Sequence, residues 1–200
     1  MKIRSFLLAA ALVPAIALAQ GDKPKPADPH AMGGPEMEAM MKAASPGEHH
    51  KPLQRYVGDW TYTMKMWMAP EQPAMESGGT MHAESILGGR YVQSVYKGEF
   101  MGHPFEGRST DGYDNVGKQY VGSWVDNVGT GIMNSTGTCE AACKVFNMTA
   151  DMLDPMSGQK ISTKSVVTWS DDNHFRMEMF MVDPKSGQPV KTMEMTAKRK

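Results

Sequence analysis

The sequence predicts an all-β fold, an antiparallel meander of about ten strands closed into a barrel and preceded by a short N-terminal helix. Three observations predict it. Beyond Val57 apolar residues alternate with polar ones, as in Trp60, Tyr62, Met64, Met66 and Met68, or Phe175, Met177, Met179 and Met181. This is the two-residue period of a strand with one buried face. The runs are short and evenly spaced, broken by the turn signals "PEQP", "LGGR", "FMGHP", "GYDNVGK", "DNVGTG", "DPMSGQK", "SDDNH" and "DPKSGQP". Between these breaks no stretch keeps a helical period for the length of a helix.

In chain order, "MKIRSFLLAAALVPAIALAQ" has the parts of a secretory signal peptide. Lys2 and Arg4 supply its positive start, Ser5 to Ile16 its apolar stretch and Ala17-Leu18-Ala19 its small-x-small cleavage site. Cleavage after Ala19, leaving a periplasmic or secreted product, is the expectation for 1–19. The apolar run is short for a bilayer and no later segment approaches the required length, so no membrane span is expected. The net charge of −1 becomes more negative once Lys2 and Arg4 are lost. That balance argues against a nucleic-acid partner, which would need a basic face.

Residues 20–47 are rich in Pro, Gly, Ala and charge, a flexible lead-in in which "PEMEAMMKAA" can form a short helix with Pro35 at its first position. A turn of helix in "EHHKPLQRYVGDW" then feeds the first strand of a domain spanning 48–200. Strands are expected near 57–68, 78–87, 90–98, 104–113, 118–126, 130–138, 143–152, 160–169, 173–182 and 189–198. If the sheet closes, the first and last strands become neighbours. Met64, Met66 and Met68 then face Met193, Met195 and the row Met177, Met179 and Met181.

The methionines need an explanation. All but Met1 of the 20 lie beyond the signal, where the chain has only Leu53, Leu87 and Leu153 among leucines and Ile86, Ile132 and Ile161 among isoleucines. A domain of this length buries a sizeable core, so methionine must do the packing usually done by leucine and isoleucine. Cysteine is limited to Cys139 and Cys143. In an oxidising compartment so close a pair is expected to form a disulfide, clipping the tip of a hairpin.

The segment "HKPLQRYVGDW" resembles the start of a calycin-type barrel, where a short helix leads into Gly-x-Trp, here Gly58, Asp59 and Trp60. Further blocks are similar to an exported bacterial family, number fifteen-seventy-nine among the domains of unknown function. They are Leu87-Gly88-Gly89-Arg90, the Gly102-x-Pro104-Phe105-x-Gly107 turn, Gly112-Tyr113-Asp114-Asn115, Trp124 followed by Asp126, and the ending "KTMEMTAKRK". The resemblance covers roughly 48–199 and implies a lipocalin-like or fatty-acid-binding-like barrel with no established activity. Within that frame Trp60 is expected to plug one end of the barrel under Arg199. Gly88, Gly89 and Gly112 are expected in turns with positive φ, and Asp114 and Asn115 to bond their own loop backbone.

The functional expectation is a non-catalytic barrel that binds a small apolar or amphipathic ligand through Tyr62, Met64, Met66, Met68, Met177, Met179, Met181, Met193 and Met195. A barrel filled by its own side chains is the competing possibility. The alternative is a copper-binding lead-in using His30, Met32, Met37, Met40, Met41, His49 and His50, because thioethers and imidazoles suit copper. Neither a serine elbow nor H-E-x-x-H nor usefully spaced paired carboxylates occur. Nothing pairs recognisably with Asp111, Asp114 or Asp126, and His82, His103 and His174 are single histidines in polar or turn contexts. No enzyme and no resident cofactor are expected.

Overall fold

The computed structural model describes residues 34–154, 157–183 and 186–200. The signal peptide, His30 and Met32 lie outside the described residues. Helix α1 (Pro35–Ala44) and a 3₁₀ helix (Glu48–Tyr56) precede ten strands. These are β1 Gly58–Met66, β2 Met75–Ile86, β3 Tyr91–Phe100, β4 His103–Asp114, β5 Gln119–Asp126, β6 Met133–Glu140, β7 Val145–Leu153, β8 Lys160–Asp171, β9 His174–Val182 and β10 Pro189–Arg199.

Each strand pairs antiparallel with the next, and β1 closes on β10. Closure leaves no unpaired sheet edge. The closing register sets Trp60 opposite Arg199, Tyr62 opposite Ala197, Met64 opposite Met195 and Met66 opposite Met193. On the other side of β10, Met193 faces Met179 and Met195 faces Met177. The expected methionine wall is therefore assembled across β1, β10 and β9. A register shift between Lys191 and Met193 keeps it intact. Lys191 stays outside with Glu178 and Glu194, while Met193 returns to the interior face.

Met68 corrects the expected wall. Strand β1 ends at Met66, and Met68 is 62% exposed beyond it. The chain there turns toward Pro70 and leaves the ladder, so the alternation past Met66 carries no structural meaning.

The two ends of the barrel differ. At one end the 3₁₀ helix packs against β2, β3 and β4. Leu53 of that helix joins Trp60, Trp169, Phe175 and Ala197 in a continuous core. Trp60 stands edge-on to Trp169 and Phe175 at 5.8 and 5.2 Å, and Tyr56 to the same two rings at 4.8 and 5.3 Å. Arg199 caps the plug, its Cζ lying 4.1 Å over the Trp60 ring, as the Gly-x-Trp resemblance implies. The Cys139–Cys143 disulfide ties the β6–β7 hairpin at this same end, with Cα atoms 4.8 Å apart.

Two expectations about the "GYDN" block are corrected. Gly112 lies inside β4 without a positive φ, and a side chain there would run into the Tyr91 ring at 2.5 Å. Close ring packing, not a turn, needs that glycine. Asn115 reaches out of its loop, its Nδ2 donating to Ala43 O at 2.9 Å and Ser45 O at 2.8 Å. With Arg90 Nε donating to Ala44 O at 2.9 Å, it fastens the end of α1 to the barrel rim. Asp114 does bond its own loop, accepting the Val116 N–H at 2.8 Å, and Gly88 and Gly89 do have positive φ.

Candidate functional site

The end opposite the plug is the one at which β1 joins β2, β3 joins β4 and β5 joins β6. The inward side chains there are methionines kept only half-buried: Met64, Met66, Met75, Met133, Met179, Met181 and Met193. Deeper in, Met195 and Met81 are buried. The methionines thus grade from core to accessible surface along one wall. A cleft of about 150 Å³ opens at this mouth, lined by Met64, Met66, Met75, Glu76, Ser77, Glu99, Phe100, Met101 and Gly102. That volume is below the usual range for drug-sized ligands, so a larger guest must displace methionine side chains, which their unbranched thioether chains allow.

The wall formed by β3 to β6 is different in chemistry. Its register brings Ser94 opposite Ser109, Asp111 opposite Gly122, and Gly122 opposite Ser135, all on the inward face. The Asp111 carboxylate and the Ser135 hydroxyl close in over Gly122, where a Cβ would lie 2.8 Å from each. Ser109 Oγ donates to Asp111 Oδ2 at 2.8 Å. Loss of hydration in the lumen pushes the Asp111 carboxyl up to about 6, against the smaller opposing effect of the Ser109 hydrogen bond. Asp111 nevertheless keeps some accessible surface, as does Tyr96.

Above this polar band runs a row of rings, Tyr62–Tyr96–Trp124–Phe105, with centroid spacings of 5.9, 5.3 and 6.4 Å. Trp124 is fixed in place because its Nε1 donates to Asp126 Oδ2 at 2.7 Å, and Asp126 Oδ1 accepts the Val128 and Gly129 N–H groups at 2.9 and 3.0 Å. The ring lies against Gly107, where any Cβ would clash at 2.4 Å. Burial pushes the Tyr96 and Tyr62 hydroxyls up, so both stay neutral phenols.

Of the residues expected to line the site, Tyr62, Met64, Met66, Met177, Met179, Met181, Met193 and Met195 do share the interior, and Met68 does not. The alternation missed the polar wall, because Ser94, Ser109, Asp111 and Ser135 are not apolar. A signal was present in "PFEGRSTDGYD": Glu106 and Arg108 alternate with Phe105, Gly107, Ser109 and Asp111, and a charged outer face leaves the mixed face to point inward.

The described members of the copper set lie on two elements. Met37, Met40 and Met41 lie on α1, the last two exposed. His49 stacks on Tyr113 at 4.4 Å. His50 is buried, its Nδ1 accepting the Gly47 N–H at 3.0 Å, and desolvation holds its pKa below the usual histidine value. Both imidazoles thus serve the packing under the sealed end. His82 and His174 pair on the outer surface with Asp59 at 2.8 Å and Asp171 at 3.0 Å, and His103 is exposed. Among the described residues no three His, Cys, Asp or Glu side chains converge as a metal site, and no helix is long and apolar enough to cross a membrane.

Ten antiparallel strands closed on themselves, plugged at one end by a helix and a Gly-x-Trp, define an all-β barrel protein. The chain belongs to the family described as "Protein of unknown function (DUF1579)", which matches it over residues 45–199. Its fold is similar to the crystal structure of Rv2717c from M. tuberculosis, with a TM-score of 0.58 and 11% identity, covering 78% of this chain and 99% of that one. At that identity the likeness is one of fold alone. A redesigned β barrel aligns at a TM-score of 0.37 with 16% identity, over 76% of this chain and 94% of that one. No curated protein matches the chain at a significant level.

Proposed function

We propose that this protein is an exported, non-catalytic carrier that holds a small apolar or amphipathic molecule in its barrel, entering between the methionines of the open end. One observation carries the reading. The inward methionines at that end stay half-buried, whereas the opposite end is closed by Trp60, Trp169, Phe175 and Leu53. A core made only for stability would bury these side chains at both ends. Methionine is suited to such a mouth, because its flexible and polarizable chain adapts to guests of different shape.

The test is binding of N-phenyl-1-naphthylamine, a neutral probe that fluoresces in apolar surroundings. Saturable, one-to-one enhancement that is weakened by Met64→Gln and Met193→Gln supports the reading. Failure of the folded protein to enhance the probe at any concentration, together with a bare mass in native mass spectrometry of protein from its own exported fraction, overturns it.

A further inference from the structure

The methionine wall accounts for an apolar guest but leaves the opposite wall unexplained. Asp111 faces the lumen with no cation beside it. Ser109 satisfies Oδ2, and Oδ1 accepts no hydrogen bond among the described residues. No Lys or Arg nitrogen of the described residues pairs with it; Arg108, its near neighbour on β4, points outward and holds Glu106 at 2.7 Å. The ionisable groups that do feel the Asp111 charge are Tyr56 of the 3₁₀ helix and Tyr96 of β3. Phenols carry no positive charge, and desolvation, which pushes both up, keeps them neutral at any physiological pH.

A carboxylate in such a place is costly unless a partner arrives. The partner's chemistry is set by the surroundings. Oδ1 needs a hydrogen-bond donor, the carboxylate needs a cation, and Tyr96, near enough to feel the Asp111 charge and in edge contact with Trp124, offers the aromatic surface that attracts one. The Ser135 hydroxyl, across Gly122 from Asp111, and Ser94, opposite Ser109 on β3, add polar atoms nearby. The distance also fits an amphiphile. Six residues of β4 separate Phe105 near the mouth from Asp111, roughly 20 Å of strand, or about 15 Å of depth once barrel tilt is included. That is close to the length of a medium alkyl chain.

We propose that Asp111 is the anchor for a protonated amine, so that the ligand of this barrel is a cationic amphiphile whose ammonium group sits against Asp111, Tyr96 and Trp124 and whose apolar part lies along the methionine wall. This rests on the carrier reading above and makes it specific. An organic ammonium, which combines hydrogen-bond donors with a positive charge that aromatic rings attract, satisfies all three features at once. An alkyl carboxylate would meet like-charge repulsion, and an alcohol would supply the donor without the charge.

The experiment uses the intact protein and three decyl compounds, decylamine, decanol and decanoate, each displacing N-phenyl-1-naphthylamine at pH 7.5. Decylamine should displace the probe at a concentration at least about tenfold below decanol, as expected for a hydrogen bond between charged groups, with decanoate the weakest. In Asp111→Asn the amine should fall to within about twofold of the alcohol, both measured by displacement of the probe from that variant. Should Asp111→Asn fold poorly, the wild-type protein supplies the same readout. Between pH 7.5 and pH 5 the amine keeps its charge, so its advantage over decanol should shrink as the carboxylate takes up a proton.

Probe and decanol binding with no advantage for the amine, or an advantage that survives in Asp111→Asn, overturns the ammonium site and leaves the carrier reading standing. Absence of any probe or decyl binding removes both.

Discussion

Arg199 and Trp60 face each other at the seam where the last strand meets the first, the guanidinium carbon 4.1 Å above the indole. The same guanidinium donates to Val57 O and Arg55 O, each at 2.7 Å, and to Asp172 O at 3.1 Å. One residue from the end of the chain therefore joins the 3₁₀ helix, the β8–β9 turn and the start of β1. Gly58 makes this possible: its φ of 127° is open to glycine, and a Cβ there would lie 2.7 Å from Arg199 Nη1.

Arg199→Ala removes the charge-assisted hydrogen bonds and the cation–π contact together and leaves backbone carbonyls unpaired. A loss on the order of 2–4 kcal/mol is expected in urea unfolding. Arg199→Lys keeps the charge but not the planar fork, so it should recover only part of that loss. A lysine variant as stable as the wild type would show that charge alone holds the seam.

The methionines should fall into a graded series set by depth. Met195 is 3% exposed, and Met195→Ala should cost about 2–5 kcal/mol, as buried large-to-small changes do. Met66 is half-buried at the mouth and should cost about 1 kcal/mol, while Met68, outside the strand, should change stability by less than about 0.5 kcal/mol. Equal losses at all three positions would contradict an accessible mouth and favour a barrel filled from end to end.

Most of the fold was legible in the sequence for a physical reason. Wherever one face of a strand is buried and the other wet, side-chain polarity repeats every second residue, and the turns between strands carry Gly, Asn, Asp and Pro. Both signals are strong from Trp60 to Arg199. The site was only half legible, since alternation finds an interior face by its apolarity. It located the Met64–Met195–Met177 wall and overlooked the Ser109–Asp111 wall, whose inward residues are polar. It also ran past Met66 to Met68, because polarity does not mark where a ladder of hydrogen bonds stops. Asn115 and Gly112 were misjudged for a related reason: their partners, Ala43 and Tyr91, are set by three-dimensional packing and leave no local trace.

Asp111 should also write its position into the pH dependence of stability. Its folded pKa, pushed up to about 6 by desolvation, lies above the ordinary aspartate value, so the folded protein binds this proton more tightly than the unfolded chain does. Stability from this group is therefore fully present below the unfolded pKa near 4 and is lost as pH rises through about 6. At pH 7 the penalty is at most on the order of 2–3 kcal/mol, less to the extent that water entering the lumen screens the charge. Asparagine has no charge to desolvate. Asp111→Asn should accordingly be more stable than the wild type at pH 7 by up to that amount, with the difference vanishing near pH 4. Carboxylates on the outer face such as Glu106, Asp151, Asp171 and Glu194, held low by their hydrogen-bonding partners, act in the opposite sense but are common to both proteins and cancel in the comparison. The measurement is a pair of urea unfolding series from pH 4 to 8. Parallel curves would mean that Asp111 is hydrated as well in the fold as in the unfolded chain, and that its lumen carries no unpaired charge for a ligand to neutralise.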